Sequence, residues 1–181
     1  KNLLKILKFN QIARINNNES NIAFKDVISH SNDITPVDID PMKDIALFQY
    51  TGGTTGIPKA AMLTHSNVVS NTQQVTLWLK TSNEASGQEK FLAVLPFFHV
   101  FSMTVMMNMG IHRGAEIILL PRFELKQTLQ LIDKKKPTIF AGVPSILNAI
   151  NHYENLDKYD LTSITACICG GAALPLEVKR S

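Results

Sequence analysis

Short apolar runs alternate with helical periods along most of the chain, and this alternation constrains the fold more than any other feature of the sequence. The apolar runs predict strands at residues 45–51, 59–63, 91–95, 115–120, 138–143 and 164–169. Strands and helices that alternate at intervals of about 25 residues are typical of βαβ units. We therefore predict an α/β fold with a largely parallel sheet covered by helices on both faces. Ligands bind such sheets at the carboxyl ends of the strands, which follow Thr51, Leu95, Val143 and Cys169.

Side chains at helical spacing predict the helices between these strands. The stripe after the second strand consists of Val68, Thr72, Val75 and Leu79. We predict Ser66 or Asn67 as the N-cap of this helix, because both side chains can accept a backbone N–H. Further stripes predict a helix over residues 125–132 that stops before Pro137, and a helix that begins at Pro144.

Residues 91–111 carry no lysine, arginine, aspartate or glutamate, and these 21 residues have about the length that spans a bilayer. Polar residues and a proline interrupt the stretch at Pro96, His99, Ser102 and Asn108. We favour a buried strand over residues 91–95, a turn over 96–102 and a buried helix over 103–111. A membrane-spanning helix is the alternative.

Lysines lie among leucines and isoleucines in residues 1–15, and three interpretations fit this pattern. They are a signal peptide, a basic helix at a membrane surface, and an amphipathic helix packed on a neighbouring part of the protein. Lys5 and Lys8 interrupt the apolar run and no small-residue cleavage site follows, which disfavours a signal peptide. We favour the packed amphipathic helix.

Composition and charge exclude several functional classes. The 181 residues carry a net charge of +3, which is far from the dense basic field of a dedicated nucleic-acid binder. We therefore predict no nucleic-acid partner. The two cysteines cannot form a disulfide framework and fit a reducing compartment. Cys167 and Cys169 share one face of a predicted strand, and we interpret them as buried apolar residues and predict no metal site.

The strongest local signal is the segment 50–59, YTGGTTGIPK, which lies between two predicted strands. Its glycines let the backbone N–H groups turn toward a ligand, and its threonines and lysine add hydroxyl donors and a positive charge. This set suits a triphosphate. It is not a Walker A loop, because Pro58 precedes Lys59 and Ala60 follows it. A glycine-rich hairpin without a ligand is the alternative.

Three motifs together resemble those of the adenylate-forming enzymes, which include acyl-CoA synthetases, peptide-synthetase adenylation domains and firefly luciferase. Residues 49–65, QYTGGTTGIPKAAMLTH, are similar to the phosphate-binding signature, most of all that of bacterial long-chain fatty-acid–CoA ligases. Residues 95–101, LPFFHVF, resemble the next motif of the family, and residues 169–175, CGGAALP, resemble the segment that flanks the adenine. Residues 21–24 are similar to the connector that precedes the phosphate loop. The family usually has glycine where this chain has Ala60, a difference that concerns local loop geometry.

The resemblance implies an enzyme that transfers AMP from ATP to a fatty acid and then passes the acyl group to coenzyme A, with Mg²⁺ as cofactor. The implied catalytic residues are His99 and Lys59, and the implied substrate-binding residues are His99 and Phe101. The implied nucleotide-binding residues are Thr51, Gly52, Gly53, Thr54, Thr55, Gly56, Lys59, Gly170, Gly171 and Ala172. The alternatives are a phosphate- or nucleotide-binding module without catalysis, adenylation of another carboxylic acid, and a membrane-associated interaction protein.

The resemblance also implies a domain organisation. We expect residues 1–44 to form the amphipathic helix and connector, and residues 45–181 to form part of the AMP-binding domain of a longer enzyme. The helix that Pro175 and Glu177 indicate runs to Ser181, and the later nucleotide and magnesium motif of the family does not follow it. We expect this piece alone to be inactive. The expected location is the cytoplasm, and peripheral association with the inner membrane face and homodimerisation are left open.

Overall fold

The structure is a computed structural model that describes residues 22–29, 36–51, 58–79 and 89–180. The chain divides into two compact units, Lys1–Asp38 and Ile39–Ser181. In the first unit the described helix is α1 (Phe24–Ser29). The predicted helix within residues 1–15 lies outside the described residues.

The second unit contains two separate sheets. Strands β1 (Ile45–Thr51) and β2 (Lys59–Thr64) form an antiparallel hairpin. The parallel sheet has four strands in the order β4-β3-β5-β6, namely β3 (Lys90–Ala93), β4 (Glu116–Leu119), β5 (Ile139–Gly142) and β6 (Ala166–Cys169). The predicted parallel sheet is confirmed for these four strands. The prediction that Thr51 ends a strand of that sheet is wrong, because parallel neighbours need a crossover of a dozen residues or more.

Helices connect and cover the parallel strands. They are α2 (His65–Trp78), α3 (residues 100–112), α4 (Leu125–Lys135), α5 (Pro144–Asn151) and α6 (Leu176–Arg180). The middle of α3, Met103–Asn108, is π-helical, a geometry that is rare and is frequently found at functional sites. Segment 91–111 is thus a strand followed by a helix, as predicted, and none of the described helices is long and apolar enough to cross a membrane.

Two helix starts differ from their predictions. The N-cap of α2 is Thr64, whose hydroxyl accepts the Asn67 N–H at 3.2 Å while the Asn67 side chain accepts the Thr64 N–H at 3.1 Å. Neither Ser66 nor Asn67 is the cap, because this reciprocal pair of bonds satisfies two donors at once. Helix α3 begins at Val100 and not at Met103, because His99 caps it.

The two faces of the parallel sheet carry separate cores, as alternation along a strand requires. Leu92 and Val94 point into a cluster with residues of α4 and α5, whereas Phe91 and Ala93 point into a cluster with residues of α3. The first cluster comprises Leu92, Val94, Leu120, Leu129, Ile132, Phe140, Ile146 and Ile150, and the second comprises Phe91, Ala93, Val105, Met106, Met109, Ile139 and Ala141. Helices therefore cover both faces, as the sequence predicts.

The edges of the parallel sheet are less buried than predicted. Strand β4 was expected to be buried over residues 115–120, yet Leu119 is 62% exposed. Cys167 on β6 is exposed and Cys169 is half-buried, so the prediction of two buried cysteines is wrong. Both strands lie at an edge of the described sheet, where one side has no neighbouring strand.

Helix α4 ends in a local cluster of charges. Lys136, which follows its last residue, has a left-handed backbone with φ of 51°. Its Nζ lies 2.7 Å from Asp160 Oδ2 and 3.3 Å from Asp133 Oδ1. The side chain that follows the C-terminus of α4 is therefore paired with two carboxylates.

Candidate functional site

The phosphate loop predicted from the sequence is the connection of the β1–β2 hairpin. Thr51 and Lys59 lie opposite each other at the last pair of the two strands, and the Thr51 hydroxyl donates to the Lys59 carbonyl at 3.2 Å. Both residues are exposed. The hairpin therefore brings the two ends of the loop together, while Gly52, Gly53, Thr54, Thr55 and Gly56 lie outside the described residues.

Ala60 occupies an ordinary position in strand β2. It pairs with Tyr50 across the hairpin. Among the described residues other than glycine, Lys136 alone has a positive φ. An alanine in place of glycine therefore adds no left-handed strain at residue 60.

His99 stands at the start of α3 in a turn that is fixed at several points. Its Nδ1 accepts the Phe101 N–H at 3.3 Å, and its own N–H donates to the Pro96 carbonyl at 3.1 Å. The buried Ser102 donates its hydroxyl to the Leu95 carbonyl at 2.9 Å. Because Nδ1 is an acceptor, the neutral ring carries its proton on Nε2. The exposed ring can therefore donate one hydrogen bond to a carboxylate or phosphate oxygen.

A cavity of about 230 Å³ lies beside this turn, at the carboxyl ends of three parallel strands. Its lining residues are Leu95, Pro96, Phe98, His99, Phe101, Val143 and Gly171. These residues follow β3, β5 and β6, so three of the strand ends that the sequence singles out meet at one place. The cavity combines an apolar wall with one imidazole, and it contains neither Thr51 nor Lys59.

The two glycines after β6 have different reasons to be glycine. Gly171 has a φ of +79°, which L side chains rarely adopt. Gly170 has no such backbone conformation, but a Cβ there would lie 2.8 Å from Cε2 of Phe101. The exposed Ala172 follows them. The predicted adenine-flanking turn thus lies against the aromatic ring of the preceding motif.

Val143 and Ser102 were not among the site residues predicted from the sequence. Val143 follows β5, lines the cavity and lies 3.3 Å, through its Cγ1, from the position of a Cβ on Gly171. Its place after a buried strand was the available signal. Ser102 has no sequence signal of its own, because its bond to Leu95 depends on how the chain turns at Pro96.

The described residues contain no group of three or more His, Cys, Asp or Glu side chains that could hold a metal ion. The donors available near the cavity are His99 and backbone groups.

Comparisons with known proteins show what this chain is similar to. Residues 4–181 match the family model described as AMP-binding enzyme. The chain is 51% identical over 142 residues to a long-chain-fatty-acid–CoA ligase of Bacillus subtilis (strain 168), an alignment that covers 78% of this chain and 25% of the relative.

Solved structures with similar folds also cover most of this chain. An inhibitor-bound N-terminal domain of FACL13 from Mycobacterium tuberculosis aligns with a TM-score of 0.75 and 26% identity, over 86% of this chain and 38% of the other. ATP-bound MatB from Rhodopseudomonas palustris aligns with a TM-score of 0.74 and 25% identity, over 86% of this chain and 30% of the other. The chain thus spans between a quarter and two fifths of the length of these proteins.

Proposed function

Because the chain belongs to the AMP-binding enzyme family, we propose that it is part of an ATP-dependent acyl-CoA ligase that activates a long-chain fatty acid. The observation that carries the proposal is the cavity at the ends of β3, β5 and β6. It brings His99, Phe101 and Gly171 from two separate motifs to one apolar site. The 51% identity to a long-chain-fatty-acid–CoA ligase supports the choice of acid.

The proposed reaction has two steps. In the first, a carboxylate oxygen of the fatty acid attacks the α-phosphorus of ATP, the bond from that phosphorus to the bridging oxygen breaks, and pyrophosphate leaves with the electron pair. In the second, the thiol sulfur of coenzyme A attacks the acyl carbon, its proton is released, and AMP leaves. The first step makes the carboxylate a better electrophile, and it requires donors and cations where the charge of pyrophosphate develops.

The hairpin supplies the groups suited to that charge. Lys59 places an exposed ammonium at one end of the loop, and Thr51 is opposite it. We propose that the backbone N–H groups and hydroxyls of residues 51–56 bind the phosphates together with Lys59. A hydrogen bond to a charged oxygen contributes about 1.5–3 kcal/mol, so a few such bonds hold a nucleotide.

The cavity and the turn after β6 supply groups suited to the fatty acid and to the adenine base. The Nε2–H of His99 is free of its capping role and would donate to a carboxylate oxygen, which orients the attacking group. Phe101 forms part of the apolar wall on which an alkyl chain would lie. The backbone of Gly170, Gly171 and Ala172 is proposed to flank the adenine. Mg²⁺ would neutralise phosphate charge, with ligands from elsewhere.

Pyrophosphate release by the full-length protein tests the proposal. The protein is mixed with ATP, Mg²⁺ and fatty acids of increasing chain length, with 4-coumarate as the comparison acid and no acid as the blank. We expect release with long-chain acids, and acyl-CoA once coenzyme A is added. Nucleotide binding without release for any acid would support a module without catalysis instead, and release with 4-coumarate alone would support adenylation of another acid.

The 181-residue chain provides a second comparison. We propose that it is inactive by itself, since it spans a quarter of the ligase it most resembles among those described above. The same assay is run on the short chain at equal concentration. Acyl-AMP formation by the short chain would contradict this part of the proposal.

A further inference from the structure

Gly170 is a glycine whose backbone does not require one. A φ in the left-handed region is found at Gly171 and not at Gly170. The space where a Cβ of Gly170 would stand is occupied by Phe101, with Cε2, Cζ and Cδ2 of the ring at 2.8, 2.9 and 3.1 Å. Distances under 3.0 Å are not compatible with a real Cβ. The reason for glycine at this position is therefore the ring.

The backbone that carries the ring cannot easily withdraw. The Phe101 N–H is bound by Nδ1 of His99, and the next residue, Ser102, is fully buried and bound to the Leu95 carbonyl. The ring itself is half-buried and packs on the core cluster of Phe91 and Val105. A side chain at position 170 would therefore move the ring by rotation about its own side-chain bonds, and not by a shift of α3.

The direction of that movement matters because Phe101 lines the 230 Å³ cavity. With a glycine at 170, the ring lies back against the turn after β6. A methyl group at 170 would meet the ring, and the ring would then have to turn away from the turn after β6, which we infer to be toward the cavity that it lines. The volume left for a ligand then decreases.

We propose that Gly170 is a specificity-determining residue, whose missing side chain gives the Phe101 ring a place to lie and so keeps the cavity open to a longer acyl chain. The inference rests on the proposed function, since it assumes that the cavity takes the alkyl chain of a carboxylic acid. It assigns to Gly170 a role in acid selection in addition to any backbone contact with the nucleotide.

The test is the chain-length profile of kcat/KM for the full-length enzyme and its Gly170→Ala variant. We expect kcat/KM to fall roughly 10-fold or more for the longest acids, because one methylene in an apolar pocket changes discrimination about 10–200-fold. The shortest acids and the KM for ATP should change little. Lys126→Ala, at an exposed lysine of α4 that does not line the cavity, is the control, and its profile should be that of the wild type.

A second substitution shows whether the effect passes through the ring. Phe101→Leu removes the atoms that a Cβ at 170 would meet, so the long-chain profile should recover in the double variant Gly170→Ala, Phe101→Leu. Phe101→Trp, with Gly170 intact, should lose long acids as Gly170→Ala does. This variant keeps the question answerable if Gly170→Ala folds poorly.

The outcomes separate the two proposals. A wild-type enzyme that releases no pyrophosphate with any carboxylic acid would overturn the proposed function and this inference with it. A wild type that is active, with a Gly170→Ala variant that loses all chain lengths equally or is not rescued by Phe101→Leu, would overturn the inference and leave the function intact. A selective loss of long acids that the double variant restores supports it.

Discussion

The two sheets of the second unit differ in how they are held. Strands β3 and β5 are almost entirely buried, and Phe91, Leu92 and Ile139 have no exposed surface. The β1–β2 hairpin has the opposite character, with Phe48 57% and Met62 65% exposed. A two-stranded hairpin is marginal by itself. The cavity therefore lies at the ends of well-packed strands, whereas the phosphate loop connects two strands that have little core of their own.

The register of the hairpin shows which of its two faces is partly buried. Phe48 and Met62 lie opposite each other, and so share the exposed face. Leu47 and Leu63 form the neighbouring pair and are both half-buried. Leu63 also lines a second cavity together with Val100 of α3. One face of the hairpin thus shares a cavity with α3, and the other exposes apolar side chains.

The comparison predicts a large difference in stability between two phenylalanines. Phe91→Ala should lower the free energy of unfolding by about 3–5 kcal/mol, because it leaves a cavity in a close-packed core. Phe48→Ala should change it by less than about 0.5 kcal/mol, since the ring is largely exposed. Urea unfolding of the 181-residue chain, followed by circular dichroism, measures both. Equal losses would mean that the hairpin is as well packed as the sheet.

The hairpin should instead be sensitive in catalysis. Lys59→Ala in the full-length enzyme should slow pyrophosphate release roughly 10²–10³-fold, the cost of losing one donor to developing charge. The KM for the fatty acid should change much less, because Lys59 does not line the cavity. Lys126→Ala, at an exposed lysine of α4, is the matched control and should leave both unchanged. Equal effects of Lys59→Ala on rate and on fatty-acid binding would contradict the role.

The same contrast explains what could be predicted from the sequence. Periodicity is local, so the stripe of α2 and the buried faces of β3 and β5 followed from neighbouring residues. The exposure of Leu119 and Cys167 did not, because it depends on which strands lie at the edges. The antiparallel pairing of β1 with β2 was predicted only within the hairpin alternative, although a loop of seven residues, 52–58, is too short for a parallel crossover.

The site was predictable to a similar extent. The motifs placed His99, Phe101 and Gly171 at strand ends, and the structure brings them together at one cavity. The contact of Gly170 with the Phe101 ring was not predictable, since it joins residues far apart in the chain. Turn geometry alone would explain a glycine pair after a strand, and the structure separates Gly171, which has a positive φ, from Gly170, which does not.

A smaller effect is expected where the hairpin joins the rest of the unit. Thr64→Ala removes the N-cap of α2 and should cost about 1 kcal/mol of stability, with a range of roughly 0.5–2. Thr64→Ser keeps the hydroxyl and should restore most of it. Ser66→Ala is the control from the same turn, because Ser66 is not the cap, and should stay within about 0.5 kcal/mol. A larger loss for Ser66→Ala than for Thr64→Ala in urea unfolding would contradict the capping assignment.

The smallest effect on stability is expected at the surface ion pair of Lys136 and Asp160, and it depends on pH. The Lys136 ammonium and two donors of Thr162 bind the Asp160 carboxylate, and these bonds hold the pKa of Asp160 well below its ordinary value. A carboxylate whose pKa is lower in the folded state stabilises the protein above its unfolded pKa, about 3.9, and loses this contribution as pH falls toward the folded pKa.

Asp160→Asn should therefore lower the urea midpoint at neutral pH, and the difference from the wild type should shrink as pH falls below about 4. Added salt should shrink it too, because both partners are partly exposed and the pair is screened. Asp157→Asn, at an exposed aspartate of the 3₁₀ turn Leu156–Lys158, is the control. A difference that persists unchanged at low pH would place the effect of Asp160 in its uncharged hydrogen bonds to Thr162, and not in its charge.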